Sequence, residues 1–158
     1  MARFAVVGAT SWGLTLAWLL RSGGHRVSVV TRSVSEADAV NAAHGIARLP
    51  ELRLADDVRA VPPGENATSD GIVLAVPSQA MRTTIERSEL SRATPVLSAA
   101  KGIELSSGLL MSEVLQAMGW ALDGISAISG PNLAHEIVRG LPAAAVIASR
   151  SRGEAERW

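Results

Sequence analysis

The sequence predicts an α/β fold in which a doubly wound, mostly parallel β-sheet carries helices on both faces. Three observations predict it: short runs that are apolar throughout, segments of helical periodicity between them, and glycines where one kind of segment follows the other. Strands that are apolar on both sides are typical of parallel sheets covered by helices on each face. The 158 residues are 47% hydrophobic, which is enough for a globular core.

The elements are predicted in order from these runs and from the residues that flank them. The first strand, Phe4–Val7, ends at a glycine, and the first helix, Trp12–Ser22, ends at two glycines. Further strands are predicted at Val27–Val30, Ile72–Val76, Pro95–Ala99, Ile125–Ile128 and Ala143–Ala148. Further helices are predicted at Ser35–Ala43 with Ser35 as N-cap, Ser78–Arg87, Leu109–Met118 and Asn132–Arg139. The segment Leu49–Ser69 is predicted to be irregular, with a polar turn at Asn66-Ala67-Thr68.

The last residues, Arg150–Trp158, are predicted to form a short helix capped by Ser151. A helix of this length is only marginally stable on its own, because few of its backbone groups can form hydrogen bonds within the helix. We therefore interpret residues 1–149 as one dinucleotide-binding domain of Rossmann-like type. Residues 150–158 are interpreted as the start of a connection toward a further domain, which the chain is expected to lack.

The charge balance and the absence of cysteine exclude several classes of protein. Basic and acidic residues number 15 each, so there is no excess of positive charge for binding nucleic acid or an anionic membrane. Without cysteine, disulfides, zinc–thiolate sites and iron–sulfur clusters are excluded, and no metal site is predicted. No stretch approaches the roughly 20 apolar residues of a membrane span, and a cytoplasmic location is predicted.

A glycine-rich turn, Gly8-Ala9-Thr10-Ser11-Trp12-Gly13, lies between the first strand and the first helix. It has the first and last glycines of the G-x-G-x-x-G pattern, which allow a tight turn and close helix packing and leave amides facing a pyrophosphate. Thr10 stands in the place of the middle glycine, where its Cβ occupies the path of the phosphates. We expect a dinucleotide to bind in a shifted or weakened way; the alternative is a tight connection without a ligand.

The end of the second strand bears on the choice of dinucleotide. Enzymes that use NAD place an Asp or Glu there to bind the ribose, whereas this sequence has Arg32-Ser33. An arginine can stack on adenine and pair with a 2′-phosphate, which favours NADP or use of both cofactors. A solvated surface arginine is the alternative.

Lys101 is the only lysine among the 15 basic residues. Unlike a guanidinium, its ammonium can donate a proton or polarise a carbonyl, and it follows a strand at the sheet edge where ligands of such folds bind. A second polar segment, Ser129–Glu136, also joins a strand to a helix. Within it Asn132 is either a ligand residue or an ordinary N-cap, and His135 is interpreted as structural.

Several segments taken together indicate a protein family more specifically than the glycine turn alone does. They are VVGATSWGLTLAWLLRSGGHRVSVVTR, LAVPSQAMR, LSAAKGIE, LLMSEVL and SGPNLAHEIVRGLPAAAVIAS. From Arg3 to Ser149 the chain resembles the amino-terminal cofactor domain of bacterial NAD(P)-dependent glycerol-3-phosphate dehydrogenases. The resemblance implies reduction of dihydroxyacetone phosphate to sn-glycerol 3-phosphate by hydride transfer, for phospholipid synthesis.

The same resemblance implies a set of site residues. Cofactor contacts are implied for Ser11, Trp12, Arg32, Lys101 and Ala134, with Arg32 at the adenosine end, and substrate contacts for Lys101, Gly130 and Asn132. Lys101 would stabilise the developing alkoxide.

The chain departs from the family at three points. Thr10 replaces a glycine, and Arg48 replaces the tyrosine of a Y-L-P motif. The carboxyl-terminal helical domain, which carries the catalytic base in the family, is expected to be missing. The implied partners are a phosphorylated triose and that helical domain, and an exposed apolar strip would favour a homodimer. Two other hypotheses remain: the cofactor domain of a 3-hydroxyacid dehydrogenase or ketopantoate reductase, and a non-catalytic module.

Overall fold

The protein forms one seven-stranded sheet in a computed structural model that describes residues 1–65 and 68–158. The strands are β1 Arg3–Val7, β2 Arg26–Val30, β3 Arg59–Val61, β4 Gly71–Leu74, β5 Val96–Ser98, β6 Ile125–Ser129 and β7 Val146–Ser149. Their order is β3-β2-β1-β4-β5-β6-β7, parallel except for the antiparallel pair β6 and β7. The helices are α1 Ser11–Ser22, α2 Val34–Ala43, α3 Met81–Arg87, α4 Met111–Ala117, α5 Ala134–Val138 and α6 Arg152–Arg157. The predicted fold class is confirmed.

Each face of the sheet has its own apolar core, which explains why the strands are apolar throughout. Along β1, Val6 packs into one core with α1 and α2, while Ala5 and Val7 pack into the other with α3 and α4. Alternate residues of a strand point to opposite faces, so both faces of β1 must be apolar. Trp120 is buried in the second core, whereas Trp18 is only partly buried against the first.

The strand order determines where a ligand can bind. The chain proceeds from β1 outward to β2 and β3, then returns to the other side of β1 to form β4. Loops at the carboxyl ends of β1 and β4 therefore diverge and leave a crevice between them, the position at which open α/β sheets bind their ligands.

The irregular segment and one helix cap are predicted incorrectly. The segment Leu49–Ser69 contains β3, a three-residue strand that pairs with β2. The N-cap of α2 is Ser33 rather than Ser35, because the Ser33 hydroxyl accepts the Glu36 amide at 3.2 Å. The tripeptide Asn66-Ala67-Thr68 includes residues outside those described, so its predicted turn remains a prediction.

The later helices are shorter than the sequence predicts. α5 begins at Ala134 after an extended Leu133, so Asn132 is not its N-cap. Residues Ser78–Ala80 form a 3-10 turn before α3. The predicted carboxyl-terminal helix is confirmed as α6, with the Ser151 hydroxyl accepting the Glu154 amide. None of the helices described here is long and apolar enough to cross a bilayer.

Candidate functional site

The turn between β1 and α1 is packed so tightly that two of its positions require glycine. Gly8 has a φ of +110°, and a Cβ there would lie 2.7 Å from the carbonyl oxygen of Ala75 at the end of β4. A Cβ on Gly13 would overlap the carbonyl oxygen of Gly8 itself. The two glycines let α1 begin directly against the ends of β1 and β4.

Thr10, at the middle position, links this turn to its surroundings by two hydrogen bonds. Its hydroxyl accepts the Gly13 amide at 3.0 Å as the N-cap of α1 and donates to the Ala75 carbonyl at 2.9 Å. The threonine is unstrained, with φ −84° and ψ 165°. Its hydroxyl therefore occupies the Gly13 amide, one of the groups that a glycine there would leave open to a ligand.

Two amides at the start of α1 remain open. Within the described residues, the N–H groups of Ser11 and Trp12 have no hydrogen-bond acceptor. Unpaired amides at a helix N-terminus attract anions, helped by the helix dipole. These residues fit a pyrophosphate even though Thr10 caps the third amide.

A cleft of about 430 Å³ opens from this turn across the ends of β2 and β4; we call it the main cleft. Gly8, Thr10 and Arg32 line it, together with Arg48 and Arg87. Arg48 lies in the loop after α2 and Arg87 is the last residue of α3. The three arginines come from separate segments, so a basic cleft could not be recognised from any one of them. Three arginines around one cleft suit a ligand with several phosphates.

Glu36 is the one carboxylate among the residues that line the main cleft, and it pairs with Arg32. The Arg32 Nε lies 3.2 Å from the Glu36 carboxylate, and the Arg32 side chain is 83% exposed. An exposed pair of this kind contributes little to stability, so Arg32 is free to take another partner. Ser33 follows, with its hydroxyl used as the α2 cap.

Lys101 lies at the carboxyl end of β5, on the same edge of the sheet. It is exposed, and its ammonium donates to the carbonyl oxygen of Gly130, at the end of β6, at 3.3 Å. The Asn132 amide lies beside Gly130, where an added Cβ would be 3.0 Å from it. Lys101 thus lies in one cluster with Gly130 and Asn132, although Gly130 is 29 residues further along the chain. Ala134 begins α5, which packs against α1.

Sequence reasoning missed three side chains that hold the Lys101 loop: Gln79, Arg82 and Glu104. Arg82 binds both carboxylate oxygens of Glu104, at 2.7 and 3.0 Å. The pKa of Glu104 is lowered, because Arg82 and then the Ser107 hydroxyl donate hydrogen bonds to the carboxylate. The sequence contained one signal for this contact: the segment VPSQ follows β4 and the segment KGIE follows β5, and these strands are neighbours.

A mostly parallel sheet with a glycine turn at its crossover point, two open amides and a basic cleft defines a dinucleotide-binding domain. Residues 3–155 match the family model described as NAD-dependent glycerol-3-phosphate dehydrogenase N-terminus. The chain belongs to this family and is its amino-terminal, NAD(P)-binding domain. That membership decides against the other two-domain reductases considered from sequence.

Similar proteins agree with this assignment. The chain is 44% identical to the glycerol-3-phosphate dehydrogenase [NAD(P)+] of Parafrankia sp. (strain EAN1pec), over 98% of this chain and 48% of that protein. It is 43% identical to that of Acidiphilium cryptum (strain JF-5), over 95% of this chain and 46% of the relative. The crystal structure of glycerol-3-phosphate dehydrogenase from Coxiella burnetii superposes with a TM-score of 0.85 at 27% identity, covering 99% of this chain and 49% of that one. The chain spans about half the length of each.

Proposed function

We propose that the main cleft binds NADP(H) or NAD(H), and that the chain is the cofactor half of an enzyme that reduces dihydroxyacetone phosphate to sn-glycerol 3-phosphate. One observation carries the proposal: the open amides of the β1–α1 turn and the Lys101 ammonium lie on the same edge of the sheet. A nucleotide diphosphate and a ketone phosphate both need anion-binding groups at this edge.

On this proposal the cofactor-binding residues act in two groups. The Ser11 and Trp12 amides hold the pyrophosphate, while Gly8, Thr10 and Gly13 shape the turn that presents them. Arg32 and Ser33 bind at the adenosine end, and Ala134 lies on the nicotinamide side.

Lys101 is the catalytic residue that we propose in this chain. Its ammonium donates a hydrogen bond to the ketone oxygen and stabilises the negative charge that develops there. Gly130, whose carbonyl accepts a hydrogen bond from the ammonium, and the nearby Asn132 contact the substrate. The chemistry that a bound nicotinamide cofactor supplies is hydride transfer to the carbonyl carbon.

A helical carboxyl-terminal half is the macromolecular partner that we propose. Its docking surface would be the exposed stretch after β6, where Leu133, Leu141 and Val146 are 50%, 53% and 68% exposed. Residues 1–149 would form the cofactor domain and 150–158 the connection. Without that half the same surface would favour a homodimer. A cytoplasmic location belongs to the proposal, because charge retains phosphorylated trioses inside cells.

Titration of the chain with NADPH and NADH in a calorimeter tests the binding step. We expect saturable binding of one or both, and NADPH at 100 times its Kd should raise the free energy of unfolding by about 2.7 kcal/mol. Arg53→Ala is the control, since Arg53 lines a separate cleft beside Trp18 and should not affect binding. Absence of binding of either dinucleotide at millimolar concentration would contradict the proposal and favour a non-catalytic module.

Replacing Thr10 by glycine should tighten NADPH binding about tenfold, since it opens the Gly13 amide to a charged acceptor. The cost in stability should be about 1–2 kcal/mol, because the exchange of a threonine cap for glycine and the loss of the hydrogen bond to Ala75 both contribute. Calorimetry of the variant gives the affinity. Thr10→Ser keeps the capping hydroxyl and the Cβ and should bind like the parent, and a Thr10→Gly variant that binds no tighter would refute the effect.

A further inference from the structure

Two loops meet beside Lys101. The first, residues 75–80, follows β4 and forms a wall of the main cleft through Val76 and Pro77. The second, residues 99–110, follows β5 and carries Lys101. Because β4 and β5 are neighbouring parallel strands, both loops leave the same edge of the sheet, where they can contact each other.

Gln79 of the first loop binds the backbone of the second loop at two points. Its amide nitrogen donates to the carbonyl oxygen of Ile103 at 2.7 Å, and its amide oxygen accepts the Leu105 amide at 3.0 Å. These two residues flank Glu104, so a single side chain fixes the backbone on both sides of it.

An ion pair reinforces this connection. Glu104 is 7% exposed, and its carboxylate accepts two hydrogen bonds from Arg82 and a third from Ser107. Arg82 lies in the first turn of α3, where the helix dipole disfavours a cation. Because Glu104 is buried, its carboxylate would be costly without a partner, and Arg82 supplies that partner despite the unfavourable position of its charge.

Lys101 itself has few constraints. Its side chain is exposed, and the one hydrogen bond that it makes within the described residues, to Gly130, is 3.3 Å long. The next residue, Gly102, has a φ of +107°, so the backbone turns sharply beside it. The direction of the ammonium therefore depends on how the loop is held.

We infer that Gln79, Arg82 and Glu104 form a clamp that positions the Lys101 ammonium next to Gly130 and links it to the wall of the main cleft. These three are positioning residues. The catalytic meaning of the clamp rests on the proposed function, whereas its effect on the position of Lys101 does not.

Because Lys101 is the only lysine, its amine can be observed directly. Reductive methylation with ¹³C-formaldehyde labels Lys101 and the N-terminal amine, and a Lys101→Arg sample assigns the two signals. In the labelled parent protein, the chemical shift of the Lys101 methyl resonance should differ from its value in the urea-unfolded protein. In Glu104→Gln and Gln79→Glu it should move toward the urea position, and trinitrobenzenesulfonate should modify the amine roughly three- to tenfold faster, as for the loss of one hydrogen bond.

The two variants test different parts of the clamp. Glu104→Gln keeps the shape but removes the charge that Arg82 binds. Gln79→Glu is isosteric at an exposed residue, loses the donor to Ile103 and provides a second test should Glu104→Gln not fold. Asp57→Asn is the matched control. It weakens another ion pair in which an arginine, Arg21, binds both oxygens of a carboxylate, and this pair is far from Lys101 in sequence.

Movement of the Lys101 signal in the clamp variants but not in Asp57→Asn supports the inference. Folded variants in which the signal and the modification rate stay unchanged would overturn it. Neither readout needs a cofactor, so the two proposals can fail separately. A clamp effect without NADPH binding refutes only the proposed function, and NADPH binding without a clamp effect refutes only the clamp.

Discussion

Gly13→Ala should lower the free energy of unfolding by about 3 kcal/mol, although alanine favours a helix interior by about 1 kcal/mol over glycine. The new Cβ would overlap the carbonyl oxygen of Gly8. The backbone of Gly8 has little room to move, because the Gly8 amide donates to the Val30 carbonyl at 2.8 Å and Gly8 already lies close to the Ala75 backbone. Urea unfolding followed by circular dichroism measures the change.

Gly124→Ala is the matched control for this substitution. In residues 1–65 and 68–158, no atom lies within 4 Å of a Cβ placed on Gly124, and the φ of Gly124 lies outside the left-handed region. It should stay within about 0.5 kcal/mol of the parent. If the two variants were equally stable, the turn would have to be looser than the structure indicates. Because the same turn presents the Ser11 and Trp12 amides, Gly13→Ala should also weaken NADPH binding.

The sheet and the glycine turn could be predicted because their signals are local. Val6 and Val7 both require an apolar environment, and this pattern implies a strand with two covered faces. Gly8 and Gly13 flank the junction of a strand and a helix, and their close contacts follow from that position.

The errors come from segments where local signals compete or are weak. Ser33 and Ser35 can both cap a helix, and the glutamate three residues after Ser33 was the signal that distinguishes them. β3 has three residues beside two prolines, and its pairing with β2 is set by the tertiary structure.

The Lys101 cluster and its clamp could not be derived from spacing alone. Lys101 and Gly130 are 29 residues apart, and Arg82 and Glu104 are 22 apart. They meet only because β4, β5 and β6 are adjacent and parallel. A single sequence can predict this class of topology, but it does not predict the particular side-chain contacts.

The second large effect is expected on NADPH affinity when Arg32, one of the arginines that line the main cleft, is replaced. Arg32→Ala should weaken NADPH binding about 10- to 100-fold and NADH binding far less, since a hydrogen-bonded contact to a charged group contributes about 1.5–3 kcal/mol. The 2′-phosphate is the group that distinguishes the two cofactors, and Arg32 lies at the end of β2, where the adenosine ribose binds in such folds. Arg48→Ala should have a smaller effect of the same sign, because Arg48 lines the same cleft from a different loop.

Calorimetric titrations with both dinucleotides, repeated at higher salt, separate the alternatives. A contact between exposed charges weakens as salt rises, so the difference between NADPH and NADH should shrink in the parent protein and change little in Arg32→Ala. Arg26→Ala is the control, since Arg26 lies on the same strand at the opposite edge of the sheet. Equal weakening of NADPH and NADH by Arg32→Ala would instead mean that Arg32 stacks on the adenine, which both cofactors share.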